Sequence, residues 1–401
     1  MNVKPLATFV PRAAGAAGGA LSALWTFPAM LFSAFLIAWG AEAAQFLISQ
    51  GLALAILAWL QTLPEFAVEA VIAWEAGKDP SRAHLAVANL TGAIRLLIGL
   101  GWPMIYFVAA FMGRGTRGRL PAIVLDREHA VEVMGLVPPL LWFVVIWWKQ
   151  TIGASDAVVL LALYAAYLWV LWQCPPHEEE ELDEAPAVSQ WAYRLGGARR
   201  IAAISGLFLA GGVLLYLTAE PFLESMLAIA SVTGVSQFVF VQWVAPFLSE
   251  FPEKVSAFGW ARRVTHAPMA LMNMVSSNIN QWTVLAAMIP IIYGWSHWRT
   301  FGTWVPFSFD GEQRVEIGLT IAQSFLATLL LMDLRFNWYD AAGLFVLWLV
   351  QFLVPGIRGS VALVYLGWCV LLFVLYAAKR RACPAPRVFM ETFRANRARR
   401  K

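Results

Sequence analysis

An all-α membrane protein of many passes, built from two inverted five-helix repeats and one extra C-terminal helix, is the fold class this sequence predicts. Three observations carry the prediction. Of 401 residues, 60% are hydrophobic and only 13% are charged, against roughly 25% charged residues in soluble domains. Apolar runs of about 20 residues, the length that crosses a bilayer core, recur along the chain. One local pattern, a proline followed by a glutamate inside an apolar segment, occurs once in each half, as Leu63-Pro64-Glu65 and Phe251-Pro252-Glu253.

The elements follow in order. Residues 1–23 read as an N-terminal segment without a cleavable signal peptide. The first repeat takes 24–173, with spans near 24–46, 49–75, 84–112, 130–148 and 155–173. Residues 174–200 form a cytosolic linker, where Glu178 to Glu181, Asp183 and Glu184 read as a solvated acidic run. The second repeat takes 201–354, with spans near 201–220, 225–258, 267–295, 315–332 and 340–354. An extra transmembrane helix is placed in 355–378 and a basic cytosolic tail in 379–401. Many of the 20 tryptophans stand at expected span ends, as in Trp147-Trp148-Lys149 and Trp295 with Trp298, where aromatic belts form. Arginines in short loops, among them Arg114, Arg117, Arg119, Arg127, Arg262 and Arg263, put the C-terminus in the cytoplasm and the N-terminus outside, in a cell inner membrane.

With five spans per half, the second half enters the membrane upside down relative to the first. That is an inverted repeat. The landmarks recur in the same order in both halves. Ala41-Glu42 and Ala219-Glu220 precede the breaks, Asn89 and Asn273 follow them, and Asp156 and Asp340 precede the last apolar run. The two aspartates read as helix N-caps. His84 and His266 flank the two helices after the breaks and read as interfacial residues. Cys174, Cys369 and Cys383 show no paired spacing, which predicts neither a disulfide framework nor a zinc site. No nucleophile–base constellation stands out, so the chain does not read as an enzyme, and no cofactor is implied. The basic tail suits the flank of a membrane helix rather than nucleic acid. The partners expected are inorganic cations and the lipid bilayer.

Glu65 and Glu253 are the central candidates. A carboxylate at mid-membrane costs at least a few kcal/mol, so it needs a partner or a function. Proline removes a backbone donor and frees a carbonyl, and such breaks are tolerated only where they line a cavity or are covered by protein. Symmetry-related breaks meet near the bilayer midplane. Two carboxylates facing each other there repel unless a cation sits between them or one is protonated. Oxygen ligands of this kind suit hard cations. The competing reading has each glutamate bonding only to its own kinked helix. Gln61, Thr62, Ser249, Ser277 and Gln281 supply further oxygens, although Thr62 and Ser249 could bond back to their own helices. Asn89 and Asn273 could be ligands or could join helices. Glu250 lies three residues before Glu253, and Glu69 one turn after Glu65. Arg95, well inside span three, is expected to pair with Glu250 or Glu65 across the repeats rather than to reach the interface.

These elements resemble the sodium/calcium exchanger membrane superfamily of cation antiporters, with this chain as a divergent, bacterial-type member. The family's Gly-Thr-Ser-Leu-Pro-Glu element is matched by Leu60-Gln61-Thr62-Leu63-Pro64-Glu65 and Leu248-Ser249-Glu250-Phe251-Pro252-Glu253. Its Gly-Asn-x-x-Gly-Ser-Asn-Ile element is matched by Ala88-Asn89 to Arg95 and Met272-Asn273 to Ile279. The resemblance implies secondary active antiport by alternating access. Glu65 and Glu253 then take the place of the paired metal-binding glutamates, and Thr62, Ser277 and Gln281 fall at ligand positions. Ala93 and Leu97 stand where the family has ligands, and Glu250 replaces a ligand serine. A cation/proton exchanger of altered selectivity, or a non-transporting sensor or scaffold on the same fold, is therefore kept as an alternative.

Overall fold

The computed structural model describes residues 18–47, 59–60, 62–113, 120–173, 182 and 185–399. Gln61, Cys174, Arg114, Arg117, Arg119 and the acidic run 178–181 and 183–184 lie outside these residues.

Helix α1 is Ala23–Gln45, and α2, after the first break, is Leu63–Lys78. The next pass is one continuous rod: α3 (Ala83–Leu96), a π-helical turn at Leu97–Gly101 and α4 (Trp102–Gly113). Strand β1 (Ala122–Val124) leads into α5 (Ala130–Gly135) and α6 (Val137–Lys149). Strand β2 (Thr151–Ile152) and α7 (Ala154–Gln173) complete the first half.

Helix α8 (Ala187–Arg194) precedes the second half. That half holds α9 (Gly197–Thr233), α10 (Gln237–Ser249) and, after the second break, α11 (Phe251–Arg262). Its own rod is α12 (Ala267–Asn280), a π-helical turn at Gln281–Leu285 and α13 (Ala286–Phe301). Strand β3 (Phe307–Ser308), α14 (Gly311–Leu331), β4 (Arg335–Asn337) and α15 (Trp338–Leu353) follow. Helices α16 (Arg358–Ala377) and α17 (Ala385–Arg399) end the chain. Among the described residues, seven helical segments are long and apolar enough to cross a membrane, and α10 and α15 are shorter apolar helices. The protein is an all-α polytopic membrane protein.

The inversion is written into two short ribbons. Strand β1 of the first half pairs antiparallel with β4 of the second, and β2 pairs with β3. Each half thus contributes the loop before its fourth pass to one ribbon and the loop after that pass to the other. The α5–α6 segment separates the ribbons by roughly 20 residues, about 30 Å of helix, so they sit at opposite ends of the bundle. The turn after α11, Val264–His266, packs against α4 near Gly113, at the β1–β4 end. The turn after α2 lies at the start of the 83–113 rod and so at the other end. There Ser296 Oγ donates to Trp74 O at 2.6 Å, and Tyr293 stacks edge-on against Phe307 of β3. The two post-break helices therefore leave the centre in opposite directions. The long helices α1 and α9 pack along each other outside this core, joined by Thr26 Oγ1 and Ser225 Oγ at 2.8 Å.

Four expectations change. The spans read as 201–220 and 225–258 divide differently. Helix α9 runs through Pro221 to Thr233 and ends on Gly234 at φ 71°, the left-handed closure that glycine permits. The next segment then breaks at Glu250 (φ −94°, ψ 4°). The part of the linker at 187–194 is helix α8, packed on α1 through the buried Ala192 and Ser189. Much of the tail is helix α17, packed against the first half around Val388 and Phe389. Asp156 and Asp340 stand at the third helical position rather than at the cap. Each reaches back to the backbone N–H of the residue before its helix, Gly153 at 2.8 Å and Asn337 at 3.0 Å, as the acid of a capping box does.

Candidate cation site

Both breaks have the same local design. Pro64 and Pro252 occupy the first turns of α2 and α11, where a missing N–H costs nothing because that donor has no helical partner. Glu65 and Glu253 follow immediately, at helix N-termini whose free N–H groups and positive dipole ends favour a carboxylate. The inverted topology turns these two N-termini toward the middle of the bundle. Glu65, Glu69, Glu250 and Glu253 are all at most 2% exposed, so none relies on bulk water.

The rod of the second repeat holds the acids together. Gln281 Nε2 donates to Glu65 Oε1 and Oε2 at 3.2 Å each and to Glu250 Oε1 at 3.0 Å. One amide therefore joins the first break to the second. Asn278 Nδ2 fixes that amide by donating to Gln281 Oε1 at 3.1 Å. Ser277 Oγ donates to Glu253 Oε1 at 2.5 Å. Asn89 Nδ2 donates to Glu69 Oε2 at 2.7 Å. Lys254 Nζ, 6% exposed, donates to Glu250 Oε2 at 2.5 Å. In this arrangement protein donors take up the acids, and among the described residues no three His, Cys, Asp or Glu side chains stand together as a metal cluster. Unused oxygens do surround the site: Glu69 Oε1, Asn89 Oδ1, Asn273 Oδ1 and Asn278 Oδ1 are buried and accept no hydrogen bond. A hard cation fits such a donor set.

Two expected oxygens bond to backbone carbonyls three or four residues earlier in the chain. Thr62 Oγ1 donates to Trp59 O at 2.8 Å and Ser249 Oγ to Ala245 O at 2.9 Å. Both amide atoms of Asn273 are buried without a hydrogen bond, so Asn273 does not join helices here.

Arg95 requires a correction: it pairs with neither Glu65 nor Glu250. Its guanidinium donates to Glu316 Oε2 at 2.5 Å and to Gln351 Oε1 at 2.9 Å, while Nε donates to Thr91 O at 3.1 Å. The Trp243 ring lies 5.3 Å away. Geometry explains the change. Six residues carry Arg95 about 120° round α3 from Asn89, onto the face that meets α10 and α14. Arg358 also donates to Glu316, and Gln242 bridges Glu316 and Arg358 at 2.9 Å to each. This is a separate buried polar cluster, and Glu250 is left to Lys254.

Lys254 and Glu316 are absent from the sequence-derived set. Lys254 carried a readable signal, since it stands four residues after Glu250, where helical side chains meet. Glu316 is an acid within an apolar span, but its two arginines come from distant segments that no local spacing links. The site is also one-sided. Ser277 and Gln281 hold the acids from the second repeat, whereas the matching Ala93 and Leu97 of the first are buried apolar side chains.

Each end of the bundle has a cavity leading toward a post-break helix. One, of about 540 Å³, lies at the β1–β4 end between α1 and α11 and is lined by Glu42, Ser256, Trp260 and Arg263. The other, of about 610 Å³, lies at the β2–β3 end between α9 and α2 and is lined by Val71, Glu75, Lys78 and Glu220. Glu42 and Glu220, matched in the sequence order, thus stand at matched openings. Glu42 accepts from Ser256 at 2.8 Å and Ser189 at 3.3 Å.

Comparisons with known proteins agree with this architecture. The family model for sodium/calcium exchanger proteins matches residues 18–173 and 204–355. The crystal structure of the H+/Ca2+ exchanger CAX is 32% identical, covers 94% of this chain and 91% of its own, and superposes with a TM-score of 0.84. The sodium-calcium exchanger NCX_Mj soaked with 2.5 mM Na+ and 10 mM Sr2+ is 16% identical over 84% of this chain and 99% of its own, with a TM-score of 0.53. The same exchanger soaked with 10 mM Na+ and 10 mM Sr2+ gives 0.56 at 16% identity over 84% and 97%. The NCX_Mj likeness concerns the fold alone. No match is found among curated protein sequences. With both repeats matched by the family model and the inverted core in place, this chain belongs to the sodium/calcium exchanger protein family, a family of cation antiporters.

Proposed function

We propose that this protein exchanges a divalent cation, with Ca2+ as the leading candidate, for protons, by alternating access around Glu65 and Glu253. The observation that carries the reading is the one-sided site. Four buried carboxylates gather there, but the first repeat supplies Ala93 and Leu97 where neutral oxygens would complete a second ligand shell. A monovalent metal counter-ion needs such a shell. A proton needs a single carboxylate oxygen, and buried carboxylates without a cation are relieved by protonation. The 32% identity to an H+/Ca2+ exchanger supports the same choice of counter-ion.

The residues divide the work. Glu65 and Glu253 bind the divalent ion directly. Glu250 and the free oxygens of Asn89, Asn273 and Asn278 extend the shell toward the six to eight oxygens that Ca2+ takes. Ser277 and Gln281 orient the acids, and Thr62 and Ser249 shape the breaks. Movement of the α1–α9 pair against the core opens one cavity and closes the other. The clustering of Arg262, Arg263, Arg335 and Arg381 at the β1–β4 end favours that end as cytoplasmic in an inner membrane, with the C-terminus inside. The functional unit is the pair of repeats at 24–173 and 201–354.

Counter-ion choice is tested in liposomes holding the purified protein, with Ca2+ uptake followed under an imposed proton gradient and, separately, an imposed Na+ gradient. The reading expects uptake driven by protons and none driven by Na+. Uptake that follows only the Na+ gradient overturns it.

A further inference from the structure

We propose that Lys254 is a tethered cation that competes with the transported divalent ion for Glu250 and sets the affinity of the site. This rests on the antiporter reading and adds a specificity-determining residue to it.

The ion pair is built into the second break and has no counterpart in the first. Lys254 N donates to Glu250 O at 3.2 Å across Pro252, and Nζ meets Glu250 Oε2 at 2.5 Å. Backbone and side chain both tie Lys254 to Glu250. In the first repeat, the residues matched to Glu250 and Lys254 are Thr62 and Phe66, which carry no charge. The pair is therefore not part of what the fold needs in order to break a helix at a Pro-Glu step.

The placement of the pair matters more than its existence. Glu250 Oε1 shares the Gln281 amide with Glu65, and Lys254 adjoins Glu253 in the chain. The ammonium thus occupies a carboxylate that shares a donor with one binding glutamate and lies three residues before the other. A divalent ion held by Glu65 and Glu253 gains both oxygens of Glu250 only when Nζ leaves Oε2. A lysine stem is long and flexible, and its compact ammonium makes bonds that can be exchanged singly, unlike a guanidinium fork. While the ammonium stays, it offsets one of the four carboxylate charges. That leaves fewer charges for the counter-ions to neutralise when the divalent ion has gone. On this account the lysine weakens divalent binding in order to let the ion leave.

A purely structural lysine predicts the opposite outcome. If Lys254 only neutralised Glu250, its removal would leave a bare buried carboxylate, disorder the site and weaken binding. The competitor account predicts a gain. Ca2+ binding is measured by isothermal titration calorimetry on the purified full chain in detergent, for wild type, Lys254→Met, Lys254→Gln and Lys254→Arg. Lys254→Met is expected to bind Ca2+ at least about tenfold more tightly, equivalent to ~1.4 kcal/mol. Lys254→Arg, which keeps the charge and grips Glu250 with a guanidinium fork, should bind Ca2+ no more tightly than wild type. If Lys254→Met fails to fold, the neutral Lys254→Gln decides the matter by the same criterion. Equal or weaker Ca2+ binding in a folded neutral variant overturns the proposal. Proton-driven Ca2+ uptake by wild type is recorded in parallel. Uptake in wild type with no gain in the variants rejects the lysine alone, whereas a wild type that neither binds nor moves Ca2+ rejects the antiporter reading and the lysine proposal with it.

Discussion

Replacing Glu316 with Gln is expected to destabilise the whole bundle without touching the cation site. Glu316 is 5% exposed and receives both Arg95, at 0%, and Arg358, at 7%. Gln keeps the shape and can still accept one hydrogen bond, but it removes the carboxylate that, among the described residues, both arginines of this cluster share. At an effective dielectric of ~20, two unit charges about 4 Å apart interact by about 4 kcal/mol, and here one carboxylate faces two cations. Removing one partner of a buried pair costs ~3–5 kcal/mol, because the remaining charge stays buried without compensation. The cluster draws on α3, α10, α14, α15 and α16, so its loss loosens contacts among five helices. We expect the thermal midpoint in detergent to fall by about 10 °C, with the Ca2+ dissociation constant of the surviving folded fraction unchanged. The assay is fluorescence-detected unfolding beside calorimetric Ca2+ binding on the same preparation. A Glu316→Gln protein as stable as wild type, or one of full stability that no longer binds Ca2+, would refute the separation of the two polar clusters.

Two further substitutions probe neighbouring contacts. Gly92→Ala puts a Cβ 1.8 Å from the carbonyl oxygen of Gln242, a clash with backbone that only a shift of α3 from α10 relieves. Overpacking typically costs ~1–3 kcal/mol, so the variant should show clearly lowered expression and thermal stability, and a wild-type midpoint would contradict the helix contact. Ser277→Ala removes the donor to Glu253 Oε1, and hydrogen bonds to charged groups are worth ~1.5–3 kcal/mol. The half-saturating Ca2+ concentration in uptake should rise by about tenfold or more, and an unchanged value would remove Ser277 from the site.

Much of the fold could be read from the chain because bilayer physics leaves few options. Apolar length gave the passes, and the odd number of passes per half gave the inversion that the β1–β4 and β2–β3 ribbons display. The Pro-Glu breaks were legible for the same reason, since a carboxylate beside a helix break is costly at membrane depth. What failed were partner choices and boundaries set by tertiary packing. Arg95 could be placed inside the membrane, but its partner Glu316 lies 221 positions away and only the helix's rotation selects it. The span expected at 201–220 stops before Pro221, yet α9 continues through it to Thr233. Its long contact with α1 holds the helix together past a missing N–H. Lys254 could have been seen at its helical spacing from Glu250.

Proton movement coupled to Ca2+ entry tests the central claim most directly. Liposomes holding the protein and a pH-sensitive dye inside receive external Ca2+, and the luminal pH is followed as Ca2+ enters. Alternate occupation of Glu65 and Glu253 by Ca2+ and protons predicts that the wild-type lumen turns alkaline as Ca2+ accumulates. Neither change should occur in Glu65→Gln or Glu253→Gln. Ca2+ entry with no change in luminal pH, or entry undiminished in either variant, would contradict the account.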